Sequence, residues 1–160
     1  MSQNLPAAGH YITFRLGDEL FAINVFQVRE VLDMGPITRV PTAPSYLRGV
    51  VNVRGKAIAV VDLRARFGLP AATDTPETRI VVLELDLDGE LCVVGGVADS
   101  VHEVLEIEQQ QLEPPPHLAS RWRSQVVRGM FRRDQDFVQL LDAASVFTDE
   151  LQALVLPRAG

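Results

Sequence analysis

Side chains that could do chemistry are present in this sequence, but they are not spaced as any common reaction requires. The three histidines, His10, His102 and His117, lie in unrelated contexts, and none has a second histidine or a cysteine at metal-ligand spacing. The sequence has no Walker loop and no Gly-x-Gly-x-x-Gly motif after a predicted strand, which are the common phosphate-binding loops. It also has no Gly-x-Ser-x-Gly motif, which would position a nucleophilic serine. We therefore expect no catalytic residues, no metal site and no cofactor.

Carboxylates are numerous, and a buried pair of them could act as acid and base. No spacing singles out such a pair. The acidic run Glu103, Glu106, Glu108 and Glu113 is more typical of a solvated face than of a site.

The single cysteine, Cys92, lies in the apolar run ELCVV and is expected to be a buried thiol.

With 160 residues, the chain can form one medium domain or two small subdomains that share a core. Any site must be positioned by the strands and helices of such a domain. Its hydrophobic content of 47% and charged content of 22% are typical of a packed globular protein. No apolar run approaches the ~18 residues of a membrane-spanning helix, and the first residues lack a secretory signal. We expect a cytoplasmic protein without direct membrane insertion.

The charge balance argues against nucleic acid as a partner, because the formal net charge is -6 and nucleic-acid affinity depends on neutralising phosphates. The charge is uneven. Residues 1–70 carry eight Lys and Arg against five Asp and Glu, giving +3, and residues 71–160 carry seven against sixteen, giving −9. This polarity suits oriented protein contacts, and it fits equally well a set of solvated faces that keep the protein soluble.

Most of the chain is predicted to be β-strand, because short apolar or alternating runs rich in Val and Ile are separated by turn residues. Three hairpins are expected: YITFRL with LFAI, TRIVVLELDL with ELCVV across Asp88 and Gly89, and LRGVVNV with AIAVV across Arg54-Gly55-Lys56. The strand AIAVV is apolar on both faces and is predicted to be central. Asp62 and Asp142 are predicted to cap short helices, LRARF and ASVFTDELQALV.

The features recur along the chain in the same order. Val-x-Glu-Val occurs at Val28–Val31 and again 73 residues later, and Arg-Gly, Asp and Phe recur at an offset of 80. We infer two similar halves joined by the Pro- and Thr-rich segment 69–78. The expected organisation is a mobile N-terminus (1–10), one domain (11–150) made of a first barrel (about 11–70) and a second barrel (about 78–150), and a C-terminal tail (151–160). Closing each set of antiparallel strands into a small barrel would remove exposed edges.

The sequence resembles the CheW family from about residue 11 to residue 147. The matching segments include YITFRLGDELFAI, VREVL, VPTAPSYLRGV, VADSVHEVL, EPPP, VRGM and LLDAASVF, and the most specific is RGVVNVRGKAIAVVDLR. The resemblance implies an all-β fold with short helices, in which two five-stranded SH3-like barrels pack side by side with a groove between them. It also implies a non-catalytic chemotaxis adaptor that couples chemoreceptors to the histidine kinase CheA. The expected partners are the cytoplasmic tip of the receptors and the CheW-like regulatory domain of CheA, within receptor arrays.

The family's contact residues, carried onto matching positions, give six candidates for partner binding: Val28, Glu30, Val31, Gly49, Asn52 and Arg54. Val28 and Val31 could line a groove for an amphipathic receptor helix or could equally be core residues. Arg54 could hold a receptor or kinase carboxylate through two hydrogen bonds, against the alternative of an ordinary solvated turn residue. Gly49 could be needed only for an unusual backbone conformation.

Two other functions are compatible with the same residues. One is a CheW-like coupler of a pathway unrelated to motility, which the sequence does not distinguish from a chemotaxis coupler. The other is a double barrel whose groove binds a small molecule, and this alternative predicts stabilisation by a ligand without any kinase. An unrecognised hydrolase would need a nucleophile and a base that the sequence does not offer.

Overall fold

The structure is a computed structural model that describes residues 8–87, 89–115 and 121–147. The ten strands in chain order are β1 (Gly9–Leu16), β2 (Glu19–Asn24), β3 (Val28–Asp33), β4 (Leu47–Val53), β5 (Lys56–Asp62), β6 (Arg79–Leu87), β7 (Glu90–Ala98), β8 (Ser100–Ile107), β9 (Val127–Arg133) and β10 (Asp136–Leu141). Over the same ranges the α-helices are α1 (Leu63–Arg66), α2 (Arg121–Val126) and α3 (Ala143–Val146), and single 3-10 turns cover Val25–Gln27 and Gln109–Gln111.

The strands form two five-stranded sheets. Sheet A has the order β8-β1-β2-β10-β9, and sheet B has the order β3-β6-β7-β5-β4. Each sheet curls, and the residues after its first edge strand reach its last strand: Thr38 pairs with Val50 of β4, and Glu113 pairs with Met130 of β9. The predicted fold class is therefore confirmed: an all-β protein with short helices and two five-stranded SH3-like barrels side by side.

The sheets do not follow the predicted division of the chain into about 11–70 and about 78–150. Sheet A combines β1 and β2 from the first half with β8, β9 and β10 from the second, and sheet B combines β3, β4 and β5 with β6 and β7. Each half thus gives its first hairpin to the other half's sheet. The physical reason lies in two parallel pairs, β2 with β10 and β5 with β7. Because a tight turn cannot connect two parallel strands, the partners in each pair must come from segments that are far apart in sequence.

The three predicted hairpins are confirmed as β1–β2, β4–β5 and β6–β7. In β4–β5 the two turn residues Arg54 and Gly55 have φ of 53° and 84°. Positive φ at both central residues is the type I′ arrangement that matches the twist of a tight hairpin. Strand β5 lies between β4 and β7 and is central, as predicted. Of the turn between β6 and β7, Asp88 lies outside the described residues.

The repeated plan is visible in equivalent hydrogen bonds. The amide of Asp62 donates to the Tyr46 carbonyl at 2.7 Å, and 80 residues later the amide of Asp142 donates to the Val126 carbonyl at 2.8 Å. Asp62 caps α1 as predicted, because its carboxylate accepts from the Arg64 and Ala65 amides.

Asp142 differs from that prediction. It occupies the N-cap position of α3, but its side chain makes no capping hydrogen bond to the helix backbone. Its carboxylate instead accepts from Arg128 at 3.0 Å and from the Ser145 hydroxyl at 2.8 Å. Helix α3 ends at Val146, with Phe147 as its C-cap, so the predicted continuation of the ASVFTDELQALV helix through Phe147 is wrong. The part of that prediction beyond Phe147, like the tail 151–160, lies outside the described residues.

Among the described residues, buried apolar side chains form three clusters, and each cluster combines residues from both halves of the chain. The largest contains Phe14, Phe21 and Phe67 together with Leu83 and Phe147. Cys92 belongs to this cluster and is buried, as predicted. Burial is the first cause of its raised thiol pKa, to which the charges of Glu90 and Asp86 add.

Arg66 lies where α1 meets elements of the second half. Its guanidinium carbon is 5.1 Å from the Tyr46 ring centre and 5.0 Å from the Trp122 ring centre. Its Nε donates to the Val146 carbonyl at 3.0 Å. Positions 66 and 146 are related by the offset of 80, so equivalent ends of α1 and α3 meet here.

Candidate partner-binding surface

An ion pair between Arg54 and Glu30 forms the centre of the candidate surface. Arg54 lies in the β4–β5 turn and Glu30 lies on β3, so the pair joins the two edges of curled sheet B. The Arg54 side chain is 76% exposed and that of Glu30 is 21% exposed. The carboxylate occupies one part of the guanidinium fork, and the exposed remainder can donate hydrogen bonds to another acidic group.

The turn that presents Arg54 is shaped by Asn52. The Asn52 carboxamide oxygen accepts a hydrogen bond from the Gly55 amide at 2.8 Å. Side chains of Asn that bond backbone amides in this way stabilise tight turns. Asn52 is exposed and therefore remains accessible, but the structure gives it a clear role in holding Arg54 in a left-handed conformation.

The two candidate valines divide between the surface and the core. Val31 is 37% exposed on β3, on the opposite face of the strand from Glu30. Val28 is partly buried and packs against the largest core cluster. Of the two alternatives left open by the sequence, the surface position thus holds for Val31, and Val28 lies at the edge of the core.

Gly49 lies on β4, away from the exposed face, and its backbone explains its identity. Its φ is 145°, and an added Cβ would lie 2.2 Å from the Thr38 carbonyl oxygen and 2.7 Å from the Ile37 Cγ2. Here the segment after β3 crosses β4 to close sheet B, and Thr38 and Val50 exchange hydrogen bonds of 2.9 and 2.8 Å. Gly49 is thus required for barrel closure, which leaves a direct partner contact as a separate proposal.

The second half carries an equivalent of this surface that the contact assignment from sequence missed. Glu103 on β8 pairs with Arg133 at the end of β9, beside Val104, which is 46% exposed. A hydrogen bond from its own backbone amide, and then one from Arg133, lower the pKa of Glu103. The offset of 73 that relates Glu30 to Glu103 is the sequence signal that could have identified Glu103. The basic partner gives a weaker signal, because Arg133 lies one position before the residue that the offset of 80 relates to Arg54.

An open groove of about 720 Å³ lies along the β3–β4 connection. Its lining combines apolar side chains, including Met34, Ile37 and Val40, with the ion pair of Arg48 and Asp74 at 2.6 Å. Most of the groove is formed by the β3–β4 connection, with the start of β4 and Asp74 completing it, and Glu30 and Arg54 do not line it.

The described residues contain no group of three or more His, Cys, Asp or Glu side chains that could hold a metal ion. In the same part of the chain, no helix is long and apolar enough to cross a membrane.

Comparison with known proteins agrees with this architecture. A sequence model of the CheW-like domain matches residues 10–151. The chain is 34% identical over 139 residues to the chemotaxis protein CheW of Rhizobium meliloti, covering 87% of each chain, and 27% identical over 158 residues to that of Bacillus subtilis, covering 98% of each. Its structure superimposes on the crystal structure of the scaffolding protein TtCheW from Thermoanaerobacter tengcongensis with a TM-score of 0.79 and 28% identity, covering 98% of this chain and 99% of the other. This chain therefore belongs to the CheW-like domain family.

Proposed function

We propose that this chain is a non-catalytic chemotaxis adaptor that couples chemoreceptors to the histidine kinase CheA and controls kinase activity through protein contacts. The proposal is supported by relatives that are named chemotaxis protein CheW and by a structural neighbour described as a scaffolding protein. The match to the structural neighbour extends over nearly all of both chains.

The observation that carries the proposal is the exposed Arg54, which lies in the tight β4–β5 turn and uses only part of its guanidinium to bind Glu30. A side chain presented from a left-handed turn at the end of a barrel can reach a partner without being withdrawn into the protein. Its guanidinium can keep the bond to Glu30 and still donate to a second carboxylate. We expect an acidic residue of the kinase domain or of the receptor tip to fill that position.

The six candidate residues would then have different roles. Glu30 and Arg54 provide the charge that fixes the register of a partner, Val31 provides apolar contact, and Asn52 holds the turn. Val28 and Gly49 support this surface from behind, through the core and through barrel closure.

The proposal includes a place of action, namely the cytoplasm at receptor arrays. An adaptor of this kind needs no cofactor and no nucleic acid, because its output is the relative position of two bound proteins. An acidic chain is also poorly suited to binding phosphate backbones.

Binding measurements on purified proteins test the proposal. Titration calorimetry of this chain with the regulatory domain of CheA, and separately with a soluble receptor cytoplasmic fragment, should give saturable binding to each. Glu30→Ala should lower the affinity for the CheA regulatory domain or for the receptor fragment by about tenfold, equivalent to ~1.4 kcal/mol. Glu103→Ala provides the matched control in the other half. Absence of binding to both proteins, at concentrations where the chain is folded, would exclude the coupling role.

A further inference from the structure

The way the two halves share their sheets suggests that each half is a binding partner for the other. The first half here means the residues up to 68, the second half those from 79, and the linker residues 69–78. Four strand pairs lie within a half, namely β1–β2 and β4–β5 in the first and β6–β7 and β9–β10 in the second. The other four pairs, β1–β8, β2–β10, β3–β6 and β5–β7, all join one half to the other.

Taken alone, the first half would keep two separate hairpins and the strand β3, with the Thr38–Val50 bridge as the backbone pairing between them. Side-chain contacts add the Glu30–Arg54 ion pair and the packing of Phe21 on Phe67. An isolated two-stranded hairpin is at best marginally stable in water, and three or more strands on a shared apolar face are needed for independent stability. The second half is in the same position, because β6–β7, β8 and β9–β10 are distributed over both sheets.

The buried core leads to the same conclusion. The sheet A cluster places Tyr11 and Ala22 of the first half against Phe131 and Leu140 of the second. The sheet B cluster places Val60 against Ile80. Since every cluster contains residues of both halves, neither half can bury its apolar side chains without the other.

Between its two packed ends, Leu69 and Thr78, the linker is held to the protein by a few exposed polar contacts. Asp74 pairs with Arg48 at 2.6 Å, and the Pro70 carbonyl accepts from Arg64 Nε at 2.8 Å. Exposed ion pairs of this kind contribute about 1 kcal/mol or less. The sheets therefore depend on the presence of both halves and very little on the path of the linker between them.

We infer that the surface between the halves is also a surface for a second copy of this chain, through reciprocal exchange of halves. In the exchanged dimer, the first half of one copy completes both sheets with the second half of the other copy, so every strand pair is preserved and only the linker changes course. A short flexible linker keeps the attached half at an effective concentration on the order of millimolar. The wild-type chain is therefore a closed monomer at micromolar concentration.

Linker length decides between the two forms. Deleting residues 70–77 would join Leu69 directly to Thr78, whose Cα atoms must then lie about 3.8 Å apart. Leu69 packs on the core and Thr78 is buried, so neither end can move freely to close that connection within one copy. Exchange between two copies removes the constraint.

The experiment first compares three proteins: the wild type, the chain lacking residues 70–77, and a control with Asp74→Ala in an intact linker. Light scattering after size exclusion should give a monomer for the wild type and the control, and a folded dimer for the shortened chain. A fourth form carries a protease site after Ala72. After cleavage its two pieces should stay together as one folded unit, unfold when separated in urea, and recover the β-sheet circular dichroism spectrum only when mixed.

A shortened chain that remains a folded monomer would overturn the inference. So would a cleaved piece that keeps a cooperative thermal unfolding transition by itself. If the shortened chain does not fold at all, the cleaved chain decides, because it keeps all residues of both halves.

Discussion

Arg54 and Glu30 are 24 residues apart in sequence and form an ion pair that joins the β4–β5 turn to β3. The pair brings together the first and last strands of sheet B, and it leaves most of Arg54 in solvent. Its counterpart in sheet A, formed by Arg133 and Glu103, has both partners about half exposed. The two pairs give the protein a built-in comparison between a proposed contact and a matched site.

Arg54→Gly should separate binding from stability. Arg54 adopts a φ of 53°, which costs an L-residue about 1 kcal/mol that glycine avoids, but glycine also makes the unfolded chain more flexible and the exposed ion pair is lost. These effects nearly cancel, so the free energy of unfolding, measured by urea denaturation, should change by about 0.5 kcal/mol or less. Affinity for the partner should fall by about tenfold.

Asp134→Gly is the control for that variant, because Asp134 has a φ of 56° in the turn between β9 and β10. It should be equally neutral for stability and should leave partner affinity unchanged. A similar loss of affinity in both variants would mean that Arg54 has no special role.

Gly49→Ala should destabilise the protein strongly. The new Cβ would clash with the Thr38 carbonyl oxygen, and the φ of 145° is unfavourable for alanine. We expect a loss of about 3 kcal/mol in the free energy of unfolding, measured by urea denaturation. Gly35→Ala, where an added Cβ meets nothing within 4 Å, should cost less than about 1 kcal/mol. Equal effects of the two substitutions would contradict the account of barrel closure.

Glu19 should contribute stability that depends on pH. Its carboxylate accepts hydrogen bonds from Arg123 at 2.8 and 3.0 Å and from Gln139 at 3.0 Å. The bond from Arg123 is the main cause that lowers the pKa of Glu19 from its ordinary value of 4.5, against the opposing effect of partial burial. A lowered pKa in the folded state means that the stabilisation is present above about pH 4.5 and is lost as the pH falls through the folded value.

The variant Glu19→Gln should therefore be less stable than wild type by about 1 kcal/mol at pH 7, and the difference should narrow below pH 4. Urea unfolding across this pH range provides the measurement, with the exposed Glu77→Gln as control. A difference that stays constant down to pH 3 would show that the charge of Glu19 is not responsible.

Arg66→Ala should weaken the junction between the two halves. The change removes a guanidinium held between the rings of Tyr46 and Trp122, together with its hydrogen bond to Val146. We expect the free energy of unfolding, measured by thermal or urea denaturation, to fall by about 2 kcal/mol. The fall should be smaller for Arg66→Lys, which keeps the charge but not the planar guanidinium. Arg29→Ala, at an exposed position of β3, should have little effect; a loss as large as that of Arg66→Ala would indicate a nonspecific effect of charge.

The hairpins, the Asp62 cap and the central position of β5 could be predicted because their signals are local. Alternation, turn residues and capping residues lie within a few positions of one another. The exchange of hairpins could not be predicted in this way. The pairing of Phe21 with Gln139 joins residues more than a hundred positions apart, and neither strand carries a mark of its parallel neighbour.

The candidate site was predictable in part for a related reason. Resemblance located Glu30 and Arg54 separately, but their pairing depends on the curl of sheet B, which brings its two edges together. The sequence likewise could not decide whether Val31 faces the core or solvent. Val31 lies on β3, an edge strand of sheet B, and is 37% exposed although its partner on β6, Val81, is buried.

Receptor-dependent autophosphorylation of CheA tests the central claim most directly. The kinase and receptor cytoplasmic fragments would be assayed without this chain, with the wild type, with Arg54→Gly and with Asp134→Gly. The coupling account predicts that wild type and Asp134→Gly change kinase output in a receptor-dependent manner, while Arg54→Gly, equally stable, loses most of that effect. An output that is the same with and without the wild-type chain would contradict the account.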